Sequence, residues 1–233
     1  MCCIYVPEGI VMAADSRLIR VRKKQSSEQT INKADGQLLN IIREEISPLT
    51  DNAQKILLIK KYGVGVSYCG NAMADEHVMS AHIQNLQNNI ADKNKTWAVA
   101  NKLAIQQEMQ NTHFFVCGYE DNIPYVYDVQ YKKVRRLNIV DTNNVGSKIQ
   151  YGVTWAGQGS VISKIIKNDP QLKINWKLMP LKDAIDFGEF LIDLTIKYER
   201  FNDSIQTCGG AIDILVFTED RCFWKQHKID CSL

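Results

Sequence analysis

The chain opens MCCIYVPEGIVMAADSR, and two features of that stretch could do chemistry. Cys2 and Cys3 follow Met1 directly, and an apolar run from Gly9 to Ala14 leads straight into Asp15-Ser16-Arg17, a carboxylate at the end of a buried-looking strand. A thiol on the first residue of a chain carries its own base. A free α-amino group titrates near pH 8 and lies within reach of its own side chain, so it can take the proton from the attacking group. Cysteine is small enough for the initiator methionine to be trimmed ahead of it. Cys2 is therefore the candidate nucleophile for attack on a carbonyl, with no propeptide to remove.

Metal and cofactor chemistry are not expected. The seven cysteines are odd in number, widely scattered, and without a Cys-x-x-Cys pair or histidines at metal spacing, which reads as reduced thiols. Cys69, Cys117 and Cys222 each lie in an apolar run and behave as small hydrophobes. His77 and His82 are five apart, not the i, i+4 pair of a zinc-binding helix. A formal charge of only +2 excludes a general field toward nucleic acid or anionic membrane. The local basic runs Arg20–Lys24 and Lys132–Arg136 lack interleaved aromatic rings and read as solvated faces. No apolar stretch approaches the roughly 18 residues of a membrane span, and the N-terminus lacks a signal peptide, so the expectation is a cytoplasmic protein.

These residues must be positioned by a packed domain, and the 45% apolar content is ample for one. Short apolar runs bounded by Gly, Pro, Asn and Asp predict strands at residues 2–6, 10–14, 55–59, 63–69, 113–118, 124–129, 152–156, 211–217 and 222–226. Helical spacing predicts helices from Asp75 to about Ile90, Trp97 to about Met109, Val161–Lys167 and Leu181–Tyr198. In the last of these Ala184, Phe187, Leu191 and Leu194 share a face, and Pro180 supplies a start. Strands and helices are segregated rather than alternating, which predicts an α+β domain with mostly antiparallel sheets. Residues 18–51 are long for a connection; the polar first half reads as mobile and Leu38–Ile46 as a short helix.

Six stretches in chain order resemble proteasome β-type subunits, members of the N-terminal-nucleophile hydrolases. Gly9–Arg17 is similar to the family's G-V-V-x-A-A-D-S-R strand and turn. Asn52-Ala53-Gln54-Lys55-Ile56 resembles the strand with the active-site lysine, and Tyr68–Asp75 the S-G-x-x-A-D turn. Phe115–Tyr119 with Pro124–Asp128 matches the central hairpin, Ala156–Ser160 the G-S-G-S turn, and Cys208–Asp213 the late G-G-x-x-D strand. The resemblance spans nearly the whole chain. It implies a single domain with a four-layer αββα sandwich, two antiparallel sheets between helix layers, and an amidase or peptidase acting on a peptide or small amide. By matching position it implies that Asp15 and Lys55 are the polar partners of the nucleophile and that the Gly70 backbone N–H is the oxyanion donor. A preorganised donor of that type is worth roughly 3 kcal/mol in acyl transfer.

The chain also departs from the family. Cys2 replaces the usual threonine, and the interval from Cys2 to Asp15 is shorter, which leaves Cys2 and Cys3 both open as the nucleophile. Gln158 stands where the family has a hydroxyl, Cys208 where it has serine, and Ile205 at the spacing of an aspartate, with Asp203 two residues away. These changes favour the second reading, a catalytically silent assembly or binding subunit. The family's self-association implies a homo-oligomer; polar helices at 75–90 and 97–109 make a dimer the expectation. Residues 18–51, much longer than the family's segment, are expected to form a lid over the site.

Overall fold

Period-two alternation is invisible in the first two strands because both of their faces are covered. In β1 (Cys2–Val6) and β2 (Gly9–Ala14), joined by a turn at Pro7-Glu8, every residue is buried. Among the described residues the other strands are β3 (Leu18–Ile31), β4 (Leu38–Thr50), β5 (Ile56–Ile59), β6 (Val64–Gly70), β7 (Met73–Ala74), β8 (His77–Val78), β9 (Thr112–Glu120), β10 (Ile123–Gln130), β11 (Lys133–Arg136), β12 (Ile139–Thr142), β13 (Gly146–Ile149), β14 (Gly152–Trp155), β15 (Asp213–Phe217) and β16 (Cys222–Gln226). The helices are α1 (Met79–Asn85), α2 (Lys95–Ile105), α3 (Ser160–Ile166) and α4 (Leu181–Arg200). This computed structural model describes residues 1–31, 38–74, 77–86, 90, 94–142, 146–167, 172–203 and 205–228, without the side chains of 23–31, 38–44, 74, 141, 142 and 146.

The architecture is α+β, and the strands of both large sheets pair antiparallel. One five-stranded sheet runs β14-β1-β2-β15-β16 and a second runs β11-β10-β9-β6-β5. The parity of each strand assigns its residues to a core. Met1, Cys3, Tyr5, Ile10, Met12 and Ala14 of the first sheet join Ile56, Phe115, Cys117 and Val126 of the second in one cluster. The opposite face of β1 and β2, carrying Cys2, Ile4, Val11 and Ala13, packs on Ala184, Ile185, Leu191 and Ile192 of α4. The opposite face of the second sheet, with Val64, Val66, Phe114 and Tyr127, packs on α1 and α2.

Helix α4 forms over the expected residues, but its buried stripe runs through Ala184, Gly188, Leu191, Thr195 and Glu199, with Phe187 and Leu194 only half-buried beside it; Lys182–Asp186 and Lys197–Asp193 pairs at i, i+4 line its exposed side. The segment after Arg17 differs from the expectation. Leu38–Ile46 is strand, not helix, and the polar first half is strand too: β3 and β4 pair with each other in a two-stranded ribbon. The cause is non-local. Its register sets Val21 opposite Ile46 and Arg22 opposite Glu45, an apolar and an opposite-charge pair of the kind that stabilises antiparallel strands. Residues 32–36 of the expected mobile half, and residue 37 after it, lie outside the described residues, as do Asp75, Glu76 and 87–89 of the helix expected at 75–90. No helix among the described residues is long and apolar enough to cross a membrane.

Candidate active site

Asp15 stands at the end of β2, in the middle of the first sheet, where the strand hands over to a turn. That turn is bound to a distant segment: Ser16 N–H donates to Gly209 O at 2.9 Å and Ser16 Oγ to Ala211 O at 2.7 Å. Asp15 Oδ2 accepts from the N–H groups of Arg17 at 3.1 Å and Gly209 at 3.0 Å, so the carboxylate is aimed by backbone. Arg17 in turn grips Asp51 with two parallel hydrogen bonds of 2.7 and 2.8 Å, which closes the base of the β3–β4 ribbon. Gly210, at φ 75°, passes so near that a Cβ would meet Asp51 O at 2.3 Å, so only glycine fits there.

Lys55 arrives from the second sheet, immediately before β5. Its carbonyl accepts from Tyr68 N–H at 3.0 Å, which fixes its backbone, and its Nζ donates to Asp15 Oδ1 at 2.8 Å. The pair is nearly sealed from water, with side chains 15% and 5% exposed. Gly70 ends β6 on the same side, two residues past Tyr68. Its φ is 111°, and a Cβ there would meet Asn111 O at 2.3 Å. The structure thus brings together Asp15 and Lys55, with Gly70 close along the sheet end.

Cys2 lies elsewhere. It pairs with Ala13, two residues before Asp15, and its side chain points to the helix layer, where Sγ lies 4.0 Å from Gly188 O. The thiol is wholly buried, and burial pushes its pKa up to about 12, so it is protonated at neutral pH. Cys3 has the opposite parity and faces the space between the sheets, but its Sγ rests 3.4 Å from Cys117 Sγ, again fully buried. With Met1 present, its α-amino group is the N-terminal charge, and it donates to Ala156 O at 3.2 Å.

The thiols on which the charges of Lys55, Asp15 and the α-amine act are Cys69 and Cys208. Both are partly exposed, and burial raises both pKa values, that of Cys208 to about 11. Cys208 is held by a residue that sequence reasoning missed. Glu199, buried at the end of α4, accepts from Thr207 N–H at 2.7 Å, Thr207 Oγ1 at 2.8 Å and Cys208 N–H at 2.7 Å. That carboxylate anchors the turn that delivers Gly209 to Asp15. A signal for it exists: Leu191, Thr195 and Glu199 follow one another at intervals of four, on the buried stripe of the helix. Gln158, Asp203 and Ile205 are exposed.

No protein-family model matches this sequence, and no curated protein matches it at a significant level. Groups of three or more His, Cys, Asp or Glu able to hold a metal are absent among the described residues. What the site can do is set by its own parts. It offers a fixed ammonium, a carboxylate held by two backbone donors, and two thiols at the margin, while the Cys2 thiol is turned toward α4.

Proposed function

We propose that the chain is a proteasome-like N-terminal-nucleophile protein with the four-layer αββα arrangement, working with Met1 in place as a binding or assembly subunit rather than as a hydrolase. The observation that carries this reading is the placement of Cys2, fully buried against α4 on the face opposite the Asp15–Lys55 pair. The layering is supported by the sharing of one core between two antiparallel sheets, with α4 on the outer face of one and α1 and α2 on the outer face of the other. On this reading the protein is a cytoplasmic homo-oligomer, and the β3–β4 ribbon, clamped at its base by Arg17 and Asp51, is a lid that screens the site.

A second reading is favoured by one observation. The Asp15–Lys55 pair that the family's motifs imply is intact, with Nζ 2.8 Å from Oδ1 and little solvent around it. In that case the chain is an amidohydrolase acting on a peptide or small amide, with an N-terminal thiol exposed by removal of Met1. Intact mass and a turnover assay on short acyl-aminocoumarin peptides separate the two. Retained Met1 with no turnover supports the subunit; trimmed Met1 with turnover lost in Cys2→Ala establishes the hydrolase and overturns it.

A further inference from the structure

On the helix-facing side of the second sheet lies a cavity of about 370 Å³ lined by Asn94, Trp97, Glu120, Tyr125 and Tyr127. Its volume is in the lower part of the roughly 300–1,000 Å³ range of small-ligand sites. Among the described residues that line it, Trp97, Tyr125 and Tyr127 are aromatic and Glu120 is acidic. Tyr125 and Tyr127, two apart on β10, stand side by side with ring centroids 6.1 Å apart and planes 16° apart. Tyr127 is only 7% exposed and lies deep, whereas Trp97, in the first turn of α2, is 48% exposed at the rim. Glu120 is fixed at the end of β9 because it accepts from Thr96 N–H at 2.7 Å.

We propose that this cavity binds a methylated ammonium group. Aromatic faces carry negative electrostatic potential and attract a poorly hydrated cation, and a carboxylate beside them supplies the counter-charge. The rings already demonstrate the attraction: the Arg136 guanidinium lies 3.9 Å from the Tyr125 ring centre, tethered there by Asn138 Oδ1 at 3.2 Å and Pro124 O at 2.9 Å. Arg136 does not itself line the cavity, although it stands opposite Tyr127 in register and its charge reaches that hydroxyl; it covers Tyr125, and Trp97, Tyr127 and Glu120 make up the rest of the lining. A primary ammonium, strongly hydrated, gives up more on entering such a box than a trimethylammonium does, which sets the order of preference. The site is separate from the Asp15–Lys55 pair and does not depend on the function proposed above.

Titration calorimetry with choline, free Nε-trimethyl-lysine and 3,3-dimethylbutan-1-ol, the uncharged isostere of choline, tests this. The two cations are expected to bind about tenfold or more tighter than the neutral isostere. Choline binding without trimethyl-lysine binding assigns the site to a free small molecule, and binding of both extends it to a methylated side chain. Trp97→Ala and Glu120→Gln should each weaken choline about tenfold. The amide introduced by Glu120→Gln keeps an acceptor for Thr96 N–H, so α2 retains its start. Equal affinity for choline and the isostere, no heat from either cation, or unchanged choline affinity in folded Glu120→Gln each overturns the proposal.

Discussion

Replacing Lys55 by Met removes the ammonium while keeping much of its bulk, and leaves the Asp15 carboxylate buried without its cation. Breaking a buried pair from one side costs about 3–5 kcal/mol because an uncompensated charge stays behind. Asp15 retains the N–H donors of Arg17 and Gly209, so the cost falls at the low end, about 3 kcal/mol. For a chain of this length the urea dependence lies toward the top of the roughly 1–3 kcal/mol per molar range, so the unfolding midpoint should fall by about 1 M. Adding Asp15→Asn to the same chain removes the stranded charge. The double variant should therefore be more stable than the sum of the two single losses allows, with a coupling of about 2 kcal/mol. Equilibrium urea unfolding followed by tryptophan fluorescence measures all four proteins. A Lys55→Met midpoint within about 0.2 M of wild type, or strictly additive losses, refutes the claim that the pair is a dry, mutually dependent unit.

Cys2 has a thiol pKa raised to about 12 from an ordinary value near 9, so the folded state holds its proton longer than the unfolded chain does. Its contribution is complete below pH 9 and is lost as pH rises toward 12, with a slope approaching about 1.4 kcal/mol per pH unit. Urea midpoints between about pH 8 and 11 should fall, and Cys2→Ala should flatten that fall; an identical slope in the variant contradicts the placement. Brief alkylation of native protein, mapped by peptide mass spectrometry, should mark Cys69 and Cys208 well before Cys2, Cys3 or Cys117, and early labelling of Cys2 would show that it is open to solvent. Gly70→Ala forces a Cβ into Asn111 O at positive φ and should cost about 3 kcal/mol or more, whereas Gly63→Ala, at φ 61° with open space around it, should cost about 1 kcal/mol. Thermal melts compare them, and equal losses would mean that the close approach at Gly70 relaxes freely. Glu199→Gln weakens the hold on Thr207 and Cys208 and should cost about 2 kcal/mol; an unchanged melting temperature would make that anchor dispensable.

The strands at 2–6 and 222–226, the central hairpin and the long helix from Leu181 are legible in the sequence because each carries its own pattern: an apolar run with turn residues at its ends, or a stripe at helical spacing. The ribbon is not. Leu38, Leu39, Ile41, Ile42 and Ile46 are compatible with one helix face, and their strand conformation comes from pairing with residues 18–31, which no local window contains. The same limit applies within the site. Asp15 and Lys55 stand out by their motifs, and they meet across the two sheets. The direction of Cys2 is not legible, because Cys2-Cys3-Ile4-Tyr5-Val6 is apolar on both faces, and only the arrangement of the layers decides which face meets α4. The edge strand β11 reads as a solvated basic run from its residue types alone; Arg135 within it pairs with Asp128, and Arg136 covers Tyr125.

The clamp between Arg17 and Asp51 has a bearing on how the chain could be rebuilt. Leu18 and Thr50 face each other in register, so the excursion between them leaves and re-enters the domain at one point. Topologically it is a closed detour: the path of the rest of the chain is the same whether the detour is long, short or absent. The cost of closing a loop grows only with the logarithm of its length, so variation there is cheap, provided the Arg17–Asp51 grip at its neck is kept. Residues 18–50 are thus an exchangeable module, a socket into which a tighter turn or an unrelated insert could be spliced, while the neck that closes it is continuous with the turn that holds Asp15.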